Sequence, residues 1–114
     1  MTRTEKEIFV RSAFHENASS GGNRVLWSGH ATMRLVCFPW SRAEVEKALA
    51  ACEIIEDYPV GHRTLPDCLV LGFIGRKRPV HAVVALDTGK NRVLVVTVYI
   101  PDRSRWKDDW QKRT

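Results

Sequence analysis

Apolar positions change period near residue 54, and that change divides the chain. Upstream, Val45, Ala48, Leu49 and Cys52 recur at helical spacing. Ser41 and Glu44 give this helix an S-x-x-E capping box, and Trp40 can staple onto Val45. A shorter helix is predicted before it, capped by Ser28 and running up to Phe38, because Pro39 disfavours its continuation. Downstream, EIIEDY, CLVLGFI, PVHAVVAL and RVLVVTVYI read as strands, separated by turn residues such as Pro59, Gly61, Gly75 and Gly89. The links GRKRP and DTGKN are too short to hold a crossover helix, so the strands they join are antiparallel. The pattern therefore predicts an α+β fold, with two N-terminal helices packed on one face of a mostly antiparallel sheet of about four strands.

The ends are less regular. EIFVRSAF fits an extra strand or a short helix, and HENASSGGN, residues 15–23, reads as a flexible link. We expect residues 1–23 to be an extension and link, residues 24–106 a single α+β domain, and residues 107–114 a charged tail. Trp106 should dock on the domain, and the chain beyond Trp110 should be mobile.

Composition narrows the setting. A chain of 114 residues, 44% of them hydrophobic, suits one core. A net charge of +5 favours acidic partners, either RNA or an acidic protein, and leaves a homo-oligomer open. Cys37, Cys52 and Cys68 lie in apolar surroundings without ligand-pair spacing and are expected as buried thiols in a reducing cytosol. MTRTEKEIFV lacks a signal-like apolar core, and no apolar run approaches the roughly 18 residues of a span, so a cytoplasmic protein without a membrane role is expected. His15, His30, His62 and His81 are too scattered for a metal set, and neither a metal nor another cofactor is expected.

Candidate chemistry centres on WSGHATMRL. With Ser28 as cap, His30 falls in the first turn and Arg34 one turn later on the same side, where unpaired amides favour anions and neutral imidazole. A neutral histidine can serve as a base, and an arginine can hold a phosphate. The structural alternative is that His30 fixes the helix start while Arg34 pairs with a carboxylate.

In PVHAVVAL the bulky row Val80, Ala82, Val84 and Leu86 leaves His81 on the opposite face. In RVLVVTVYI the row Leu94, Val96, Val98 and Ile100 leaves Thr97 and Tyr99 opposite. His81, Thr97 and Tyr99 share a face only if paired residue numbers sum to an even value; an even-length loop without a bulge would separate them. A satisfied core histidine and a packing tyrosine are the competing reading. His62 and Arg63 in one turn, and Arg76, Lys77 and Arg78 in the next, can track phosphates or be ordinary solvated turns.

The order SGHATMR, SRAEVEKAL, EIIEDYP, CLVLGF, RPVHAVVAL and TVYIPD resembles the bacterial family called domain of unknown function 4258. The family pattern of a strand entering an H-A-x-x-R helix, a later strand histidine and a terminal T-V-Y falls on His30, Arg34, His81, Thr97 and Tyr99. After the first helix VCFPW stands where many relatives carry another arginine and a glycine, which leaves the basic set incomplete. The resemblance implies a distant relation to RelE-like and colicin-like ribonuclease toxins that cut RNA without a metal, and hence an antitoxin-like partner. On that relation the expected function is a metal-independent endoribonuclease. His30 or His81 would take the ribose 2′-OH proton, Arg34 would stabilise the phosphorane, and Tyr99 would orient or protonate the leaving oxygen. The competing expectation is a non-catalytic module that binds protein or nucleic acid through its basic turns and the Trp106 and Trp110 tail.

Overall fold

The computed structural model describes residues 1–20, 22–58 and 64–114. Helix α1 (Arg3–Ser20) leads into strand β1 (Val25–Trp27), and helices α2 (Gly29–Leu35) and α3 (Arg42–Leu49) follow. Next come β2 (Glu53–Asp57), β3 (Asp67–Ile74), β4 (Arg78–Asp87) and β5 (Arg92–Tyr99), and the chain closes with β6 (Trp106–Lys107) and β7 (Lys112–Arg113). The main sheet has the order β1-β5-β4-β3-β2, while β6 and β7 form a separate two-stranded hairpin. The fold is α+β, with the β2–β5 meander antiparallel as the short links require.

Three details differ from the sequence-based expectation. First, α1 is a long helix that belongs to the core, with Val10, Ala13 and Phe14 fully buried. A reciprocal capping box starts it: the Glu5 amide donates to Thr2 Oγ1 at 3.1 Å and the Thr2 amide to Glu5 Oε1 at 2.8 Å. The helix covers the sheet edge at β2. Arg3 donates to the Ile54 carbonyl (2.6 Å), Glu7 accepts from the Ile54 amide (2.9 Å), and Arg11 donates to the Cys52 carbonyl just before the strand (2.6 Å). Side chains thus occupy edge groups that would otherwise invite another strand. The stretch expected as a link is helical through residue 20.

Second, a fifth strand, β1, pairs with β5 in parallel, with Val25 opposite Val93 and Trp27 opposite Val95. Parallel pairing is possible here because α2, α3 and three strands intervene. Third, the tail is the β6–β7 hairpin. Trp106 pairs with Arg113, and the Thr114 amide donates to the Arg105 carbonyl at 2.9 Å, which places the final residues in regular structure.

One face of the sheet carries the main core, in which Val45 and Leu49 of α3 and Phe14 of α1 meet Val70, Val80, Ala82, Val84 and Leu86. At Gly72 the α3 backbone comes so near that an added Cβ would stand 2.8 Å from the Ala48 carbonyl oxygen. Glu46 ties three elements together, accepting from Asn17 Nδ2 (2.7 Å), Trp27 Nε1 (2.7 Å) and Arg42 Nε (2.9 Å). Helix α2 lies instead along the outer side of β5, with Ala31 as its buried residue.

Candidate functional site

Ser28 joins β1 to α2 and fixes both against β5. Its amide donates to the Val95 carbonyl (3.0 Å), its hydroxyl donates to the Val96 carbonyl (2.8 Å), and the same oxygen accepts from the Ala31 amide (3.0 Å). The predicted cap is therefore also the anchor that sets α2 beside the strand. His30 then reaches across to Thr97, with Nε2 and Oγ1 3.0 Å apart. One turn on, Arg34 Nε faces the Val98 carbonyl at 3.4 Å. Both side chains remain exposed.

The register between β4 and β5 decides what joins them. Near the hairpin Val84 pairs with Val95 and Asp87 with Arg92, leaving an even loop of four residues. Continued unchanged, that register would put Val98 opposite His81 and turn Tyr99 toward the helices. A bulge between Val83 and Val84 intervenes, so that Val83 pairs with Thr97 and His81 with Tyr99. His81, Thr97 and Tyr99 consequently share the face away from α1 and α3. The bulge also corrects the apolar row: Val93, Val95 and Val98 enter the core, whereas Leu94 and Val96 are half-buried and Ile100 is exposed.

His81 is fully buried on that face. Its Nε2 lies 2.9 Å from the Trp110 carbonyl and its Nδ1 3.1 Å from the Tyr99 hydroxyl. A carbonyl only accepts, so Nε2 carries the proton, and Nδ1 accepts from the phenol. Trp106 closes the ring from the side, perpendicular at 4.3 Å between centroids. Burial pushes the His81 pKa down to about 4, against the opposing pull of the Trp110 carbonyl and the Glu56 carboxylate. Burial likewise raises the Tyr99 phenol. At neutral pH His81 is a satisfied, uncharged donor–acceptor link, and both its nitrogens are engaged.

Outside this link lies an open cleft of about 460 Å³, lined by Arg34, Tyr99, Asp102, Arg105, Trp106 and Arg113. Arg113 lies over the Trp106 ring, 4.7 Å from its centroid, and makes a double hydrogen bond to Glu56 (2.7 and 3.0 Å). That partner holds Arg113 above its ordinary range, while Arg113 holds the Glu56 carboxyl below its own. Neither Arg34 nor Arg105 forms an ion pair among the described residues. Arg34 and Arg105 therefore give the cleft cationic groups beside the Tyr99 and Trp106 rings, with the Asp102 carboxylate in the same lining, an arrangement that can take an oxyanion.

The expected residues thus fall into separate places. His30 and Thr97 touch at the α2–β5 edge, Arg34 and Tyr99 line the cleft, and His81 stands behind Tyr99. Arg76, Lys77 and Arg78 are exposed at the β3–β4 turn and do not line the cleft. Arg63, with His62, falls outside the described residues. Arg105 and Arg113 were missed; the signal was the alternation of cations and indoles in RSRWKDDWQKR. Cys52 and Cys68 are buried, and desolvation pushes both thiols up to about 12, but Cys37 is exposed, contrary to expectation, because it follows α2 at its solvent side. Among the described residues no three His, Cys, Asp or Glu side chains gather as a metal site, and no helix is long and apolar enough to cross a membrane.

Fold and site define a small α+β domain whose strand-to-helix edge and terminal hairpin flank a basic, aromatic cleft. The family model described as Domain of unknown function (DUF4258) matches residues 27–100, and the chain belongs to that family. The match includes His30, Arg34, His81, Thr97 and Tyr99 but stops short of Arg105 and Arg113, so the cleft has one wall inside the matched segment and one outside it. No curated protein and no solved structure matches the chain.

Proposed function

We propose that the domain binds a single RNA strand at the α2–β5 edge and cuts it without a metal, in the manner the RelE-like relation implies. The observation that carries this reading is the placement of Arg34, Tyr99, Arg105 and Arg113 around one open cleft, with His30 on the same edge beside Thr97. The arginines bind the phosphate and offset the charge that grows on its oxygens. His30 accepts the 2′-OH proton, with Thr97 fixing the imidazole; the 2′-oxygen bonds to phosphorus as the bond to the 5′-oxygen breaks. The departing oxygen takes a proton from water, and His30 returns its own to solvent. The products are a 2′,3′-cyclic phosphate and a free 5′-hydroxyl.

In this mechanism Tyr99 does not supply the leaving-group proton, because its O–H is directed at His81 Nδ1. Tyr99 serves instead as part of the cleft wall. The buried, doubly bonded His81 favours a positioning role over that of a base, and it is also the observation that supports the competing reading of a binding module without catalysis. Incubation of the protein with mixed RNAs and with ribosomes, in a strong chelator, separates the two. Cyclic-phosphate ends support cutting. Intact RNA that nonetheless shifts in a binding assay leaves the module, and RNA that neither shifts nor breaks sinks both.

A further inference from the structure

The turn of the β6–β7 hairpin contains three consecutive non-glycine residues with positive φ: Asp108 (52°), Asp109 (57°) and Trp110 (73°). This region is unfavourable for side chains with a Cβ and persists where neighbouring contacts hold it. Here the Gln111 amide donates to the Lys107 carbonyl at 3.1 Å, and His81 Nε2–H donates to the Trp110 carbonyl at 2.9 Å. The Trp110 main chain is turned inward, while its indole stays half-buried at the surface with Arg103 over the ring, 5.4 Å from the centroid. A second cleft of about 380 Å³ opens there, lined by Arg103, Trp106, Lys107, Asp109 and Trp110. Trp106 is the wall it shares with the arginine cleft.

We infer that the Trp110 cleft is a stacking subsite for one nucleobase of a single-stranded RNA, whose neighbouring phosphate lies in the cleft of Arg34, Arg105 and Arg113. The inference rests on the RNA-binding reading above and adds the part of the ligand that reading leaves unassigned. With the Trp110 main chain fixed by its carbonyl bond to His81, the half-buried indole gives a base a flat apolar platform at reduced ordering cost. Arg103 now stacks on the indole, 5.4 Å from its centroid; an entering base takes that place on the ring, and the displaced guanidinium can stack on the far face of the base. Lys107 supplies a cation for the adjoining phosphate, against the single carboxylate of Asp109. An acidic peptide would satisfy the cations but leave the platform unused.

The test uses an eight-nucleotide 2′-O-methyl RNA, which lacks the nucleophilic hydroxyl and stays intact, and the same strand made wholly abasic. Fluorescence anisotropy should show the wild-type protein preferring the strand with bases by roughly tenfold. Trp110→Leu should abolish that preference and Trp110→Phe should retain most of it; both keep the main-chain carbonyl that His81 uses. Equal affinity of the wild type for the two strands would overturn the stacking subsite while leaving the phosphate cleft standing. No binding of either strand would overturn the subsite and the RNA-binding reading together. An undiminished preference in Trp110→Leu would also overturn the assignment, and the wild-type comparison decides the matter if that variant fails to fold.

Discussion

His81 donates Nε2–H to the Trp110 carbonyl at 2.9 Å, so a buried strand histidine and the turn of the terminal hairpin form one unit. The bond serves both partners. It gives the Trp110 carbonyl a donor, and it fixes the tautomer that receives the Tyr99 hydroxyl.

This unit predicts an acid limb in stability. The folded-state pKa of His81, about 4, lies below its ordinary 6.5, so the unfolded chain binds more protons between those values. Its contribution is complete above pH 6.5 and is lost as pH falls toward 4, by about 2–3 kcal/mol. Glu56, whose carboxyl is held low, adds a further loss below the usual carboxylate range. Urea unfolding at successive pH values should show the first limb, and His81→Phe should flatten it. A wild type equally stable at pH 6.5 and 4.5 would contradict the assignment.

At the α2–β5 edge, His30→Ala should lower metal-independent cutting by roughly a hundredfold or more, the usual scale of losing a general base. Because His30 is exposed and its hydrogen bond is to the Thr97 side chain, the melting temperature should change little. Thr97→Val should slow the reaction less and shift its pH profile, since the imidazole loses its hydrogen-bond partner without being removed. Full activity in His30→Ala would move the base elsewhere.

Glu46 predicts a stability effect with no part in the cleft. Glu46→Ala strands the donors of Asn17, Trp27 and Arg42, and should cost about 3 kcal/mol, whereas Glu46→Gln, which keeps an accepting oxygen, should cost less. Chemical denaturation followed by tryptophan fluorescence checks the order. An Ala variant within about 0.5 kcal/mol of wild type would mean that solvent replaces the hub.

The helices of the centre were legible because local rules and tertiary packing agree there. Ser28 and Ser41 cap as their sequences demand, and Ser41 with Glu44 forms the full box. The same rule at Thr2 and Glu5 announces α1, but its apolar face is interrupted by Lys6 and Glu7, which are spent on Asp57 and on the backbone of β2 rather than on solvent. Helical periodicity does not display polar groups that meet a sheet edge. Strand β1 is only three residues long and owes its pairing to β5, distant in sequence, so nothing within VLW could specify it. The tail hairpin was hidden for a similar reason, because its polar residues are held by Glu56, His81 and the Arg105 carbonyl.

The bulge was the harder feature. Strict alternation read backward from Val98 selects Val96 and Leu94, while the true core row steps from Val98 to Val95 because Val96 is the extra residue. This gives a final prediction. Deleting Val96 should leave Val95 opposite Val84 and Thr97 opposite Val83, so Tyr99 should remain beside His81. What disappears is the carbonyl that accepts from Ser28 Oγ, one of the two bonds to β5 that anchor α2, while the Ser28 amide keeps its bond to Val95. Amides of Gly29–Leu35 should exchange faster, and the His81 ring proton should stay protected in the NMR spectrum. RNA binding should weaken as Arg34 loses its fixed place above Val98. If the ring proton instead exchanges freely while α2 stays protected, the bulge sets the face of Tyr99 and not the seat of the helix.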